Sequence, residues 1–132
     1  MARPPQGDQV YPHQELSQTV IGAAFEVHRE LGPGFLEKVY ETALLREIRS
    51  RGIKAQSQAQ IDVSYKGQPV GVYYADVLVD DKVICEIKAV AALVPVHEAQ
   101  LLHYLTATGI EVGLILNFGN QRVQFKRLVR TK

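Results

Sequence analysis

The stretch Tyr74–Ala89, YADVLVDDKVICEIKA, carries the residues whose types and spacing suit phosphoester chemistry. Side chains along a strand alternate between faces, so Glu86 and Lys88 share one face while Cys85 and Ile87 take the other. A hairpin turning over Asp80–Lys82 sets Asp76 nearly opposite Glu86. Two carboxylates and an amine then converge among Val77, Val79, Val83, Cys85 and Ile87, where unpaired charge is costly. Two carboxylates this close repel, and one pKa rises unless a divalent cation neutralises them. A hard ion such as Mg²⁺ suits such a site, because it takes few protein oxygens and keeps water and substrate phosphate for the rest. Lys88 would hold or help deprotonate the attacking water and offset charge growing on the phosphorane. The same three residues would also suit a solvated cross-strand ion cluster, held by about a few tenths of a kcal/mol per pair.

Two further groups of residues bear on the choice. Gln100 and Tyr104 of QLLHY are four apart, so on a helix following the third strand they share a face and can lean over the acids. An ordinary amphipathic helix would show the same pair. In GFLEKVY, Gly34–Tyr40, Glu37 and Tyr40 stand at a helix start, where an acid also favours the helix dipole. His97 and His103 flank the Gln100–Tyr104 pair and fit substrate-contact or structural roles, while His28 lies on an apolar helix face and His13 near the start. Their spacing matches no zinc pattern. Cys85, the lone cysteine, reads as a buried thiol and points to a reducing, cytoplasmic setting.

The elements that must position these groups follow from periodicity. Leu16, Val20, Ile21, Ala24, Phe25, Val27, His28 and Leu31 recur at spacings of three and four, which predicts a helix from Glu15. It breaks at LGPG, Leu31–Gly34. A second helix is expected from about Phe35 to Arg51, stopped by Gly52. The period then changes to two at Ile61, Val63 and Tyr65, with a turn at Lys66–Gln68, a strand over Val70–Val79, a turn at Asp80–Asp81 and a third strand over Val83–Ala89. A helix over His97–Thr108 ends at Gly109. Val112–Asn117 is apolar throughout and should be buried on both faces. Phe118–Asn120 turns into a last strand, Arg122–Val129. The class is α/β, with a mixed central sheet (an antiparallel meander plus one crossover helix) flanked by helices.

Length and composition agree with one domain. The chain has 132 residues, 46% hydrophobic and 22% charged, which suffices for a real core and excludes disordered and fibrous classes. A loose tail is expected over residues 1–13, with the domain over 14–132. No apolar run spans a bilayer and the polar start lacks a signal-peptide core, so membrane insertion is not expected. The net charge is +1, but Gln121–Lys132 holds Arg122, Lys126, Arg127, Arg130 and Lys132 and no acid. Those cations suit either a phosphate backbone or an edge strand guarded by charge.

Taken together, GFLEKVY, Asp76, Glu86-Ile87-Lys88, and Gln100 with Tyr104 resemble a known pattern. GFLEKVY matches the GxxExxY signature of a family of small bacterial proteins within the PD-(D/E)xK nuclease superfamily, and the likeness runs from about Val20 to Arg130. Gln100 and Tyr104 resemble the QxxxY motif of RecB-like nucleases. Asp76 follows Ala75, where the name-giving motif has proline. The resemblance implies a restriction-endonuclease-like core. It implies that Asp76 and Glu86 bind Mg²⁺ or Mn²⁺ with the Ile87 backbone carbonyl as a third ligand, and that Lys88 positions the water. Glu37 would be an additional acid near the metal. Gln100 and Tyr104 would orient the lysine or contact the nucleic-acid backbone, with Tyr40 and His97 as further substrate contacts.

The function expected is metal-dependent hydrolysis of DNA or RNA. A hydrolase of small nucleotides or other phosphoesters, and a non-catalytic nucleic-acid-binding or regulatory partner keeping the fold, are the alternatives. Specificity would come from the loop around Val90–Val96, the N-terminal helices or a second subunit, since a homodimer suits cleavage of two strands.

Overall fold

Spacings of three and four between apolar residues produce two helices that pack on the same side of a sheet. In the computed structural model, which describes residues 12–130, α1 spans Gln14–Leu31 and α2 spans Glu37–Ser50. Gly32, with φ of 72°, ends α1, its amide returning to the His28 carbonyl. A long hairpin follows, β1 (Ala55–Tyr65) and β2 (Gln68–Val79). It turns at Lys66 and Gly67, whose φ values of 50° and 79° suit a two-residue turn between right-twisted strands. β3 (Val83–Lys88) comes after a turn at Asp80 and Asp81. Then follow α3 (Pro95–Thr108), β4 (Val112–Asn117) and β5 (Gln124–Val129).

The strand order is β1-β2-β3-β4-β5. Only β3 and β4 are parallel, joined by α3, and the other neighbours run antiparallel, so the sheet is mixed. The architecture is the flanked mixed sheet expected from the sequence. β1 differs: it starts at Ala55, well before Ile61, because pairing with β2 recruits the polar run AQSQAQ. β5 starts two residues later than expected.

Helices cover both faces. On one, Val20, Ala24, Tyr40, Leu44 and Ile48 pack on Val77, Val79, Val83, Cys85, Ile87 and Leu114. On the other, Leu101 and Leu105 of α3 pack on Ala59, Ala75, Leu78, Ile84 and Ile115. All six residues of β4 are buried, as a strand between two helix layers must be. α3 comes so close that a Cβ on Gly113 would lie 2.8 Å from Leu101 Cδ2.

The chain leaving β3 is pinned. Fully buried Asn117 accepts the Val90 amide at 2.9 Å and donates to the Val90 carbonyl at 3.0 Å, while the Phe118 amide donates to the Lys88 carbonyl at 2.8 Å. Gly119 sits where a Cβ would fall 2.3 Å from the Val90 oxygen, so only glycine fits. This clamp fixes the end of β3 that carries Lys88. The tail expected over residues 1–13 lies outside the described residues except for Pro12 and His13, and Lys132 is outside too. None of the described helices is long and apolar enough to cross a membrane.

Candidate active site

The pairing of β2 with β3 runs from Val79–Val83 to Val77–Cys85. The next step outward is Asp76 beside Glu86, and there the side chain replaces the ladder: Asp76 Oδ2 accepts the Ile87 amide at 2.8 Å. Ile84 belongs to the α3 core and Cys85 and Ile87 to the α1–α2 core. Glu86 and Lys88 therefore fall on the α3 face, both half-buried. Tyr73 of β2 reaches the same face, and its hydroxyl donates to Glu86 Oε2. Tyr104 of α3 stacks on the Tyr73 ring with centroids 4.1 Å apart. Tyr104 thus meets the acids through Tyr73, whereas Gln100 is exposed in the first turns of α3.

A third carboxylate joins from the opposite layer. Glu41 of α2 is 5% exposed, with Oε2 accepting from Lys38 Nζ at 3.0 Å and Oε1 from Gln58 Nε2 at 3.1 Å. The same Gln58 nitrogen lies 3.4 Å from Asp76 Oδ1. Asp76 is therefore held from both sides, by a backbone amide and by a side-chain amide shared with Glu41.

Burial shapes the electrostatics of the site. It raises the Glu86 pKa to about 7, and the neighbouring Asp76 charge adds to the rise, against smaller opposing effects of the Tyr73 hydrogen bond and the Lys88 charge. Burial also raises Asp76, opposed mainly by the Ile87 hydrogen bond and reinforced by the Glu41 charge. The Tyr73 hydroxyl is driven well above its ordinary value by burial and by Glu86, so it acts as a donor.

Several expected residues lie elsewhere. Glu37 is exposed, and the acid that α2 turns toward Asp76 is Glu41, one turn further on. Tyr40 has no exposed surface to offer a substrate: its hydroxyl donates to the Gly32 carbonyl at 2.6 Å and accepts the Phe35 amide at 3.1 Å, and its ring stacks on Phe118. Tyr40 anchors the LGPG loop. His97 caps α3, with Nδ1 accepting the Val94 amide at 3.2 Å. On the basic strand, Arg130 donates to the Gly109 carbonyl at 3.0 Å, Arg127 bonds the Pro12 carbonyl, and Lys126 lies 3.9 Å from Glu98. Those three cations are at least partly engaged within the domain.

Glu41, Gln58 and Tyr73 were missed from the sequence. Glu41 had a signal, because it falls on the buried stripe with Leu44 and Ile48. Gln58 had none.

Among the described residues, no group of three or more His, Cys, Asp and Glu side chains is arranged to hold a metal ion. The donors present still fit a hard divalent ion. Asp76 and Glu86 supply carboxylate oxygens with no sulfur or imidazole among them, and Mg²⁺ binds through one or two carboxylates with water completing its shell.

The family model of the PD-(D/E)XK nuclease superfamily matches residues 14–128. Nucleases of that superfamily generally use divalent metals. Among solved structures, the chain resembles the protein SSO0001 with a TM-score of 0.54 and 16% identity, covering 73% of this chain and 51% of that one. It thus spans about half the length of SSO0001. It also resembles an alkaline exonuclease from Laribacter hongkongensis with a TM-score of 0.51 and 17% identity, covering 83% of this chain and 68% of that one. At these identities the likenesses show the fold. No curated protein matches the chain.

Proposed function

The chain belongs to the PD-(D/E)XK nuclease superfamily, and from that premise we propose that it is a metal-dependent phosphodiesterase cleaving DNA or RNA. The observation that carries this reading is the meeting of Asp76, Glu86 and Lys88 at the frayed end of the β2–β3 ladder, with Glu41 behind Asp76. Asp76 and Glu86 would hold Mg²⁺ or Mn²⁺, with the Ile87 carbonyl as a third oxygen. That ion would supply a bound water of lowered pKa and a counter-charge for the phosphate oxygens.

The chain's own residues do the rest. The Ile87 amide fixes the rotamer of Asp76, and Tyr73 fixes that of Glu86. Lys88 sits on the same face as Glu86, at a strand end locked by Asn117, and is placed to orient a water and to offset charge on the scissile phosphate. The raised Glu86 and Asp76 pKa values mean that protons compete with the ion, so activity should climb toward alkaline pH. Gln100, exposed on α3 above this face, is a candidate contact for the nucleic-acid backbone. The lone buried Cys85 supports a reducing, cytoplasmic setting.

Labelled single- and double-stranded DNA, RNA and a set of mononucleotides, incubated with Mg²⁺ or Mn²⁺, test the proposal. Cleavage of a polymer that chelator and Lys88→Ala both abolish supports it. Turnover of mononucleotides alone moves the assignment to small phosphoesters, and polymer binding without turnover in any divalent metal sinks the enzymatic reading.

A further inference from the structure

Gln58 has the geometry of an exception. Its φ is 50°, left-handed for a residue with a Cβ in the middle of a strand. The β1–β2 pairing proceeds through Ser57–Val77 and Ala59–Ala75 but skips the Gln58–Asp76 step between them.

The two strands also exchange faces at this point. Ala55 of β1 and Val77 and Val79 of β2 lie in the α1–α2 core, whereas Ala59 and Ala75, of the same parity, lie in the α3 core. A strand of regular alternation would keep each set on one face. Asp76 stands on this seam. It can therefore meet Glu41 from the α2 layer and stand beside Glu86, which faces α3. Gln58 occupies the same seam, and its amide spans Glu41 at 3.1 Å and Asp76 at 3.4 Å. A backbone conformation this costly, at the residue whose side chain ties two acids together, points to a role in the site.

Resting on the metal-dependent reading above, we propose that Gln58 is a positioning residue: its left-handed backbone turns the hairpin over, and its amide ties Asp76 to Glu41 in the orientation in which Asp76 meets the divalent ion. Glycine has no Cβ and adopts left-handed backbone freely, so Gln58→Gly keeps the backbone turn and removes the side chain with its amide. Asparagine also tolerates that conformation and carries an amide one methylene shorter.

The test measures Mn²⁺ affinity by paramagnetic resonance of the free ion, in the full chain, alongside melting temperature and cleavage rate. Outer partners of metal ligands are worth about 10–100-fold in affinity or activity. Gln58→Gly should melt no lower than the unsubstituted protein yet bind Mn²⁺ about 10–100-fold more weakly, with a cleavage deficit that shrinks as Mn²⁺ is raised. Gln58→Asn should show the same deficit, and it carries the comparison if the glycine variant does not fold. A purely structural Gln58 would leave Mn²⁺ affinity unchanged in a folded variant, and that result overturns the inference while leaving the nuclease reading intact. An unsubstituted protein that neither binds Mn²⁺ nor cleaves overturns both.

Discussion

Glu86 is held in the folded, metal-free protein at a cost, and that cost can be measured. Its carboxyl rises from 4.5 to about 7, chiefly through burial. Between those values the native state holds a proton that the unfolded chain releases, so folding stability falls as pH rises across the window and the loss is complete above about 7. At 1.36 kcal/mol per pK unit, about 2.5 units come to about 3 kcal/mol. Glu86→Gln removes the ionisation, and its Oε1 can still accept from the Tyr73 hydroxyl. In the presence of chelator, the variant should be more stable than the parent at pH 8 by up to about 3 kcal/mol, or about 10 °C in melting temperature for a domain of this size. At pH 4.5 the gap should largely close. Added Mn²⁺ should reverse the ranking by stabilising only the parent. Urea unfolding at four or five pH values between 4.5 and 8.5 reads this directly. A difference between the proteins that does not change with pH would refute the burial argument, because a packing effect has no proton dependence.

Three other outcomes bear on named residues. Lys88→Ala should lower hydrolysis about 10²–10³-fold while the Mn²⁺ binding isotherm persists, whereas loss of Mn²⁺ binding would make Lys88 structural. Tyr73→Phe keeps the ring stack on Tyr104 and deletes the bond to Glu86. Because that bond lowers the Glu86 pKa, the carboxyl titration followed by carbon NMR in metal-free protein should move upward, and no movement would mean the contact is not made in solution. Tyr40→Phe strands the Phe35 amide and the Gly32 carbonyl, so stability should fall by about 1–2 kcal/mol with kcat unchanged at saturating substrate; a selective fall in activity would restore Tyr40 to substrate contact.

The fold was legible wherever one local rule dominated. β4 is six residues without a charge, so two-sided burial followed at once, and with it the parallel pairing that only a crossover helix permits. Gly32, Gly67 and Gly109 stand at positive φ where the breaks were expected. The start of β1 was not legible because its glutamines carry little strand preference, and the pairing of Gln56 with Leu78 and of Gln60 with Tyr74 is imposed by the β2 beside them.

The candidate site was legible in its parts and not in its joints. Asp76, Glu86 and Lys88 stand out because charge is rare in apolar strands. Assigning the helix acid to Glu37 followed its place in a motif, whereas burial depends on which side of the helix faces the sheet; Glu41, aligned with Leu44 and Ile48, is the one α2 turns inward. Gln58 gave no sign, since a left-handed glutamine inside a strand obeys no periodicity. That failure is informative in itself. Regular alternation gives each side chain one face, and Asp76, tied to Glu41 in one layer while standing beside Glu86, which faces the other, sits where that alternation breaks. The seam lies at Gln58 and Asp76, so the irregularity that hid this geometry from the sequence also brings Asp76 and Glu41 onto one amide.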